Sequence, residues 1–99
     1  MNKFKAVYKI FYTKLTLSRR VRVISEEISK LSLDYSSIID VGCGGGEISA
    51  ALIRLKPSIA LKGIDIEIRE DCEIEAMKFD GISIPFPDSS FDFAMLIDV

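Results

Sequence analysis

Apolar residues follow a helical period in the first third of the chain and short unbroken runs thereafter. In "KFKAVYKIFYTKL", Phe4, Val7, Tyr8, Phe11 and Leu15 fall at helical spacing, with lysines mostly elsewhere, which predicts an amphipathic helix. In "TLSRRVRVISEEISKLSLD", Leu17, Val21, Ile24, Ile28 and Leu31 form one stripe, a second helix of about four turns. From Ser36 the pattern changes. "SIIDVG" is a β-branched run ended by glycine and predicts a buried strand. "GEISAALIRLKP" returns to helical spacing at Ile48, Ala51, Leu52 and Leu55 and stops before Pro57. "IALKGIDI", "EAMKFD" and "FDFAMLIDV" then predict three further strands. Strand, helix, strand at this spacing is a βαβ unit, so the sheet is expected to be parallel.

Two spacings depart from a regular α/β repeat. Only "EIREDCEIE" separates Ile66 from Ala76, whereas a parallel crossover usually takes about a dozen residues or more. The second crossover helix is therefore expected to shrink to a loop or a single turn. The apolar "FAMLIDV" also falls at the end of the chain, so the domain reads as incomplete after its fourth strand. Such a strand would be a bare sheet edge, and self-association through it, as a homo-oligomer, is the expectation.

Composition narrows the class. With 99 residues, 48% apolar and 28% charged, the chain is one globular domain at most. It has two cysteines, Cys43 and Cys72, and no histidine, which argues against a disulfide framework and against a Cys/His metal site. No apolar run has membrane-spanning length and the N-terminus lacks a signal-peptide pattern, so a cytoplasmic location is expected. Charge is uneven: residues 1–30 carry eight Lys/Arg against Glu26 and Glu27, while the remainder is acidic and the whole comes to −2. The basic arm reads as a solvated helix face that complements the acidic body rather than as a nucleic-acid surface.

The densest chemistry is in "IIDVGCGGGEISAALI", residues 38–53, with four glycines in five positions. A nucleotide-triphosphate loop needs a lysine and a hydroxyl after its last glycine, and Glu47 and Ile48 stand there instead. The dinucleotide spacing G-x-G-x-x-G, counted from Gly42 and Gly44, places Glu47 at the third glycine, which argues against a nicotinamide-dependent oxidoreductase. What fits is acidic-x-Gly-x-Gly-x-Gly over Asp40, Gly42, Gly44 and Gly46. Glycines let a ligand press against the turn, and the following helix start offers N–H groups to an anion. Asp40 and Glu47 repel phosphate and suit a cation. A ligand with an ammonium, a carboxylate and a positive sulfur matches this mixture, and S-adenosylmethionine is such a molecule.

On these residues the chain resembles the class I S-adenosylmethionine-dependent methyltransferases, in particular the small-molecule type with an "LPFPDxSFD" signature. "DVGCGGG" is similar to the family's first motif, and Cys43 lies within it. "GIDI" follows, with Asp65 nineteen residues after Gly46. The resemblance implies that Asp65 accepts the ribose hydroxyls and that Ile66 lies on the adenine face. "FDGISIPFPDSSFDFAMLIDV" resembles the stretch running from an adenine-contacting acid, here Asp80 with the Gly81 backbone, into the fourth strand. Its end, Ile97 and Asp98, is then expected beside the methionine part of the cofactor.

The implied fold is α/β, an incomplete Rossmann-like three-layer sandwich with a parallel sheet of about four strands in the order 3-2-1-4. Residues 1–35 are expected as two basic N-terminal amphipathic helices and residues 36–99 as the cofactor-binding half of a methyltransferase domain. The implied activity is methyl transfer from S-adenosylmethionine to a small-molecule acceptor, with no catalytic base to nominate. The competing reading is a catalytically inert fragment that acts as a cofactor-binding or assembly module. Cys43 and Cys72 read as structural, and Asp88 and Asp92 as parts of a turn and a strand start.

Overall fold

The structure, a computed structural model, describes residues 4–10 and 17–97. Along the chain come β1 (Phe4–Ile10), α1 (Leu17–Ser29), β2 (Ser37–Val41), α2 (Glu47–Leu55), β3 (Ala60–Asp65), β4 (Ala76–Lys78) and β5 (Phe91–Ile97). All strand pairs are parallel, in the order β1-β5-β2-β3-β4. The four strands expected after Ser36 are β2, β3, β4 and β5, and they lie in the expected 3-2-1-4 order.

The N-terminal segment is the correction. Instead of a first helix, residues 4–10 form a strand beside β5, with Phe4 opposite Phe91 and Ile10 opposite Ile97. The segment is rich in aromatic and β-branched residues, which suit a strand as well as their spacing suits a helix. The outer edge of β5 would leave a row of backbone donors and acceptors unpaired, and pairing with β1 satisfies it. β5 is thus an interior strand. The expected bare edge, and with it the ground for self-association there, is filled by the chain's own N-terminal segment. Phe11 and Leu15, part of the expected helical stripe, lie outside the described residues.

The second expected helix is α1. With α2 it covers one face of the sheet, where Ile24, Ile28 and Leu52 pack with Ile38, Met95 and Ile97. Successive residues of β2 point to opposite faces, so Ile38 and Ile39, both fully buried, anchor two separate layers. On the second face Ile39, Ile64 and Ala94 are covered by Phe79, Ile84 and Phe86 from the segment between β4 and β5. The third layer is therefore a loop rather than a helix. The connection from β3 to β4, residues 66–75, is likewise free of helix and holds a single turn closed by the Cys72 N–H on the Arg69 carbonyl, 3.1 Å.

The "PFPDSSFD" stretch works at the amino ends of the strands. Phe86 and Phe91 meet edge to face, ring centroids 5.1 Å apart, and the Lys62 ammonium lies 5.7 Å from the Phe86 ring centre. Asp92 Oδ2 accepts the Ser37 N–H at 3.0 Å, and the Asp92 N–H donates to Ser37 Oγ at 3.1 Å. This exchange pins the start of β5 to the start of β2. The signature thus builds the sheet at the end away from the glycine turn, in keeping with Asp92 as a strand-start residue.

Candidate functional site

β2 runs out at Val41, and the chain turns through five residues into α2. Gly42, Gly44 and Gly46 have φ of 74°, 57° and 75°, the left-handed region, which accounts for a glycine at every second position. The turn is held from below: the Gly42 and Cys43 N–H groups donate to the Ile64 carbonyl at 2.8 and 3.2 Å. Asp65, at the end of β3, reaches across and accepts the Gly44 N–H through Oδ2 at 2.9 Å, while its Oδ1 accepts the Ile66 N–H at 2.7 Å. Gly44 faces open space, for a Cβ built there would meet nothing within 4 Å. Its neighbour Gly45 is covered by the Glu47 carboxylate, which occupies the place a Cβ would take. The helix begins at Glu47, an acidic residue in the first turn and so favourably placed in the helix dipole.

Asp40 is 5% exposed and lies one residue before the end of β2. Ser49 Oγ donates to its Oδ2 at 2.5 Å. Burial pushes the Asp40 carboxyl from 3.8 up to about 6; the Ser49 hydrogen bond opposes the rise, and the charge of Asp65 adds to it. A carboxylate kept in so costly a place is a common mark of a functional site. The Cys43 thiol is pushed from 9.0 up to about 12, by burial first and then by Asp40, Cys72 and Asp65, so it is protonated at neutral pH and no nucleophile.

Above the turn lies a cavity of about 230 Å3. Asp40 and Glu47 supply its carboxylates, Arg20 from α1 and Arg69 from the 66–75 connection its guanidiniums, and Val21, Ile48 and Ile97 its apolar wall. Arg69 is held in place by a two-pronged contact with Asp71, 3.1 and 3.0 Å. Among the described residues no cluster of His, Cys, Asp or Glu could hold a metal ion. Among them, too, no helix is long and apolar enough to cross a membrane.

Of the residues singled out in the sequence, Asp40, Gly42, Cys43 and Gly44 line this cavity, and Gly46 stands behind it at the start of α2. Asp65 joins them through Gly44 but does not line the cavity. Ile66 and Gly81 are neighbours at the carboxyl ends of β3 and β4: Ile66 is 58% exposed, and a Cβ on Gly81 would lie 3.2 Å from its Cδ1. Together they make an apolar shelf beside Asp65. Asp80 shapes this shelf, because its Oδ1 accepts the Ile82 and Ser83 N–H groups, each at 2.8 Å. Those bonds, Ser83 first, hold its carboxyl below the usual range. Asp98 lies outside the described residues. The sequence reading missed Ser49, Arg20 and Arg69. Ser49 had a signal, a lone hydroxyl on an otherwise apolar helix face nine residues after Asp40. The two arginines had none.

A parallel sheet with a glycine turn after β2, and acids at the carboxyl ends of β2 and β3, defines a Rossmann-like α/β fold. The methyltransferase domain family matches residues 39–99, more than half of the chain, and the chain belongs to that family. Comparison with curated proteins gives no significant match.

Proposed function

We propose that this chain is the cofactor-binding portion of an S-adenosylmethionine-dependent methyltransferase whose acceptor is a small molecule. Its family makes methyl transfer the general reaction. The observation that carries the cofactor is the pair of acids around the open glycine turn: Asp40, buried in the cavity wall, and Asp65, bonded to the Gly44 N–H. The residues fit the group. Asp40 and Glu47 offer negative charge to an ammonium and a sulfonium, and Arg20 and Arg69 offer donors to a carboxylate. A triphosphate would instead meet two carboxylates and no lysine at the turn.

When bound, S-adenosylmethionine supplies a methyl group already activated on positive sulfur. The chain's own work is binding and alignment. Gly44 lets a ligand approach the backbone where a side chain would stand in the way. Asp65 presents a carboxylate suited to paired hydroxyls. Ile66 and Gly81 provide an apolar shelf for a flat ring. Asp80 stabilises that shelf through its turn, and any contact with the ring falls to its second oxygen. An acceptor whose nucleophile is unprotonated at neutral pH needs no general base from the protein.

The test is calorimetric titration of S-adenosylhomocysteine into the wild type and into Asp65→Ala, with circular dichroism to establish that both are folded. Binding by the wild type and an affinity loss of about tenfold or more in the variant are expected, the scale of one charge-assisted hydrogen bond. No binding by the folded wild type, or equal affinities, would sink the proposal.

A further inference from the structure

We infer that Ser49 is the positioning residue of the cofactor site: its hydroxyl holds one oxygen of Asp40, so that the other faces the cavity as a fixed anion for a cationic group. The inference rests on the cofactor reading above and adds what orients and charges its central acid. Ser49 is the third residue of α2 and fully buried, on a helix whose other buried residues are Ala50 and Leu52. A hydroxyl at such a place costs stability unless it is bonded, and alanine would fill the position with better helix propensity. Its usual alternative in a helix, the carbonyl four residues back, is that of Gly45, which already accepts the Glu73 N–H at 2.9 Å. The hydroxyl instead crosses to the end of β2 and donates to Asp40 Oδ2 at 2.5 Å. Among the described residues no buried side-chain oxygen lacks a hydrogen-bond partner, and the side-chain bond of Asp40 is the one at Oδ2. Oδ1 is therefore not sealed in the core; it opens on the cavity that Asp40 lines.

The same bond sets the charge. A donor aimed at a carboxylate favours the ionised form, whereas burial favours the proton, and the Ser49 bond opposes the rise that burial drives to about 6. Without that donor, Asp40 holds its proton to higher pH. A cation is bound where Asp40 is ionised, so affinity is full above its titration and falls as pH drops through it. In Ser49→Ala that window moves upward, and the loss reaches neutral pH. The other titratable and charged groups around Asp40 are Asp65 at the end of β3, Cys43 in the turn, Glu47 at the start of α2, Arg20 on α1 and Arg69 from the 66–75 connection. On either side of β2, the strands set Gly63 and Met95 opposite Asp40. All of these are common to the wild type and the variants, so a difference between the proteins reports on the hydroxyl.

The test compares the full-length wild type, Ser49→Ala and Ser49→Thr, each shown to be folded by circular dichroism. Calorimetric titration of S-adenosylhomocysteine from about pH 5.5 to about pH 8.5 gives the affinity profile. Carbon-13 NMR of the ligand-free proteins gives the titration of the Asp40 carboxyl. In Ser49→Ala the affinity should fall about tenfold at neutral pH, the gap should narrow toward the alkaline end, and the Asp40 midpoint should rise by about one pH unit. Ser49→Thr keeps the hydroxyl and should restore both. An Asp40 midpoint that does not move in Ser49→Ala, or an affinity lowered by the same factor at every pH, would overturn the positioning role and leave the cofactor reading standing. A folded wild type that binds nothing would overturn the cofactor reading, while the Asp40 midpoint, read without ligand, still decides what Ser49 does to the charge.

Discussion

Replacing Asp40 by asparagine should make the protein more stable at neutral pH while weakening its cofactor site. Burial raises the Asp40 carboxyl from 3.8 to about 6. At about 1.4 kcal/mol per pH unit, that rise is a destabilisation on the order of 3 kcal/mol when the group is ionised. The folded state then binds the extra proton between about pH 4 and pH 6, so stability falls as pH rises through that window, and the whole cost is present above it. Asparagine keeps an oxygen to accept the Ser49 hydroxyl and has no charge to desolvate. Urea unfolding of both proteins from about pH 4 to pH 8 measures the difference directly. The Asp40→Asn variant and the wild type should be nearly equal at the acid end, and the variant should gain a few kcal/mol by neutral pH. A variant that is less stable at neutral pH, or an offset that does not change with pH, would refute the reasoning. The same substitution removes the buried negative charge facing the cavity, so S-adenosylmethionine should bind it more weakly than it binds the wild type.

Two other substitutions separate the site from its frame. In Gly44→Ala the new Cβ meets no neighbour, so only the left-handed backbone opposes it, at roughly 1–2 kcal/mol of stability. Calorimetry should nevertheless show a loss of S-adenosylhomocysteine affinity of at least about tenfold, since the methyl stands where the ligand approaches; unchanged affinity would mean that no ligand comes close there. Asp92→Ala removes the two carboxylate bonds to Ser37, leaves the one from the Asp92 N–H, and should cost about 1–3 kcal/mol in urea unfolding. Its cofactor affinity should match the wild type, because the contact lies at the opposite end of the sheet.

Much of the site was legible because local chemistry fixed it. Positive φ at alternating positions demands glycine, so the turn and the acids flanking it show themselves in the sequence. The shortened connection between β3 and β4 was readable from length alone. The N-terminal strand was not. Residues 4–10 carry a spacing compatible with a helix, and the row of unpaired backbone groups on β5, at the other end of the chain, decides otherwise. Arg20 and Arg69 were invisible for a related reason: each reaches the cavity from a different element, and no local pattern marks a surface arginine.

Backbone amide NMR of the chain, recorded before and after saturation with S-adenosylhomocysteine, asks where the ligand sits. The largest shifts should fall on Gly42–Glu47, Asp65–Ile66 and Asp80–Ile82, the carboxyl ends of β2, β3 and β4, with residues 85–92 unchanged. A folded protein with no shifts at saturating ligand, or with shifts centred on residues 85–92, would contradict the assignment of this turn as the cofactor site.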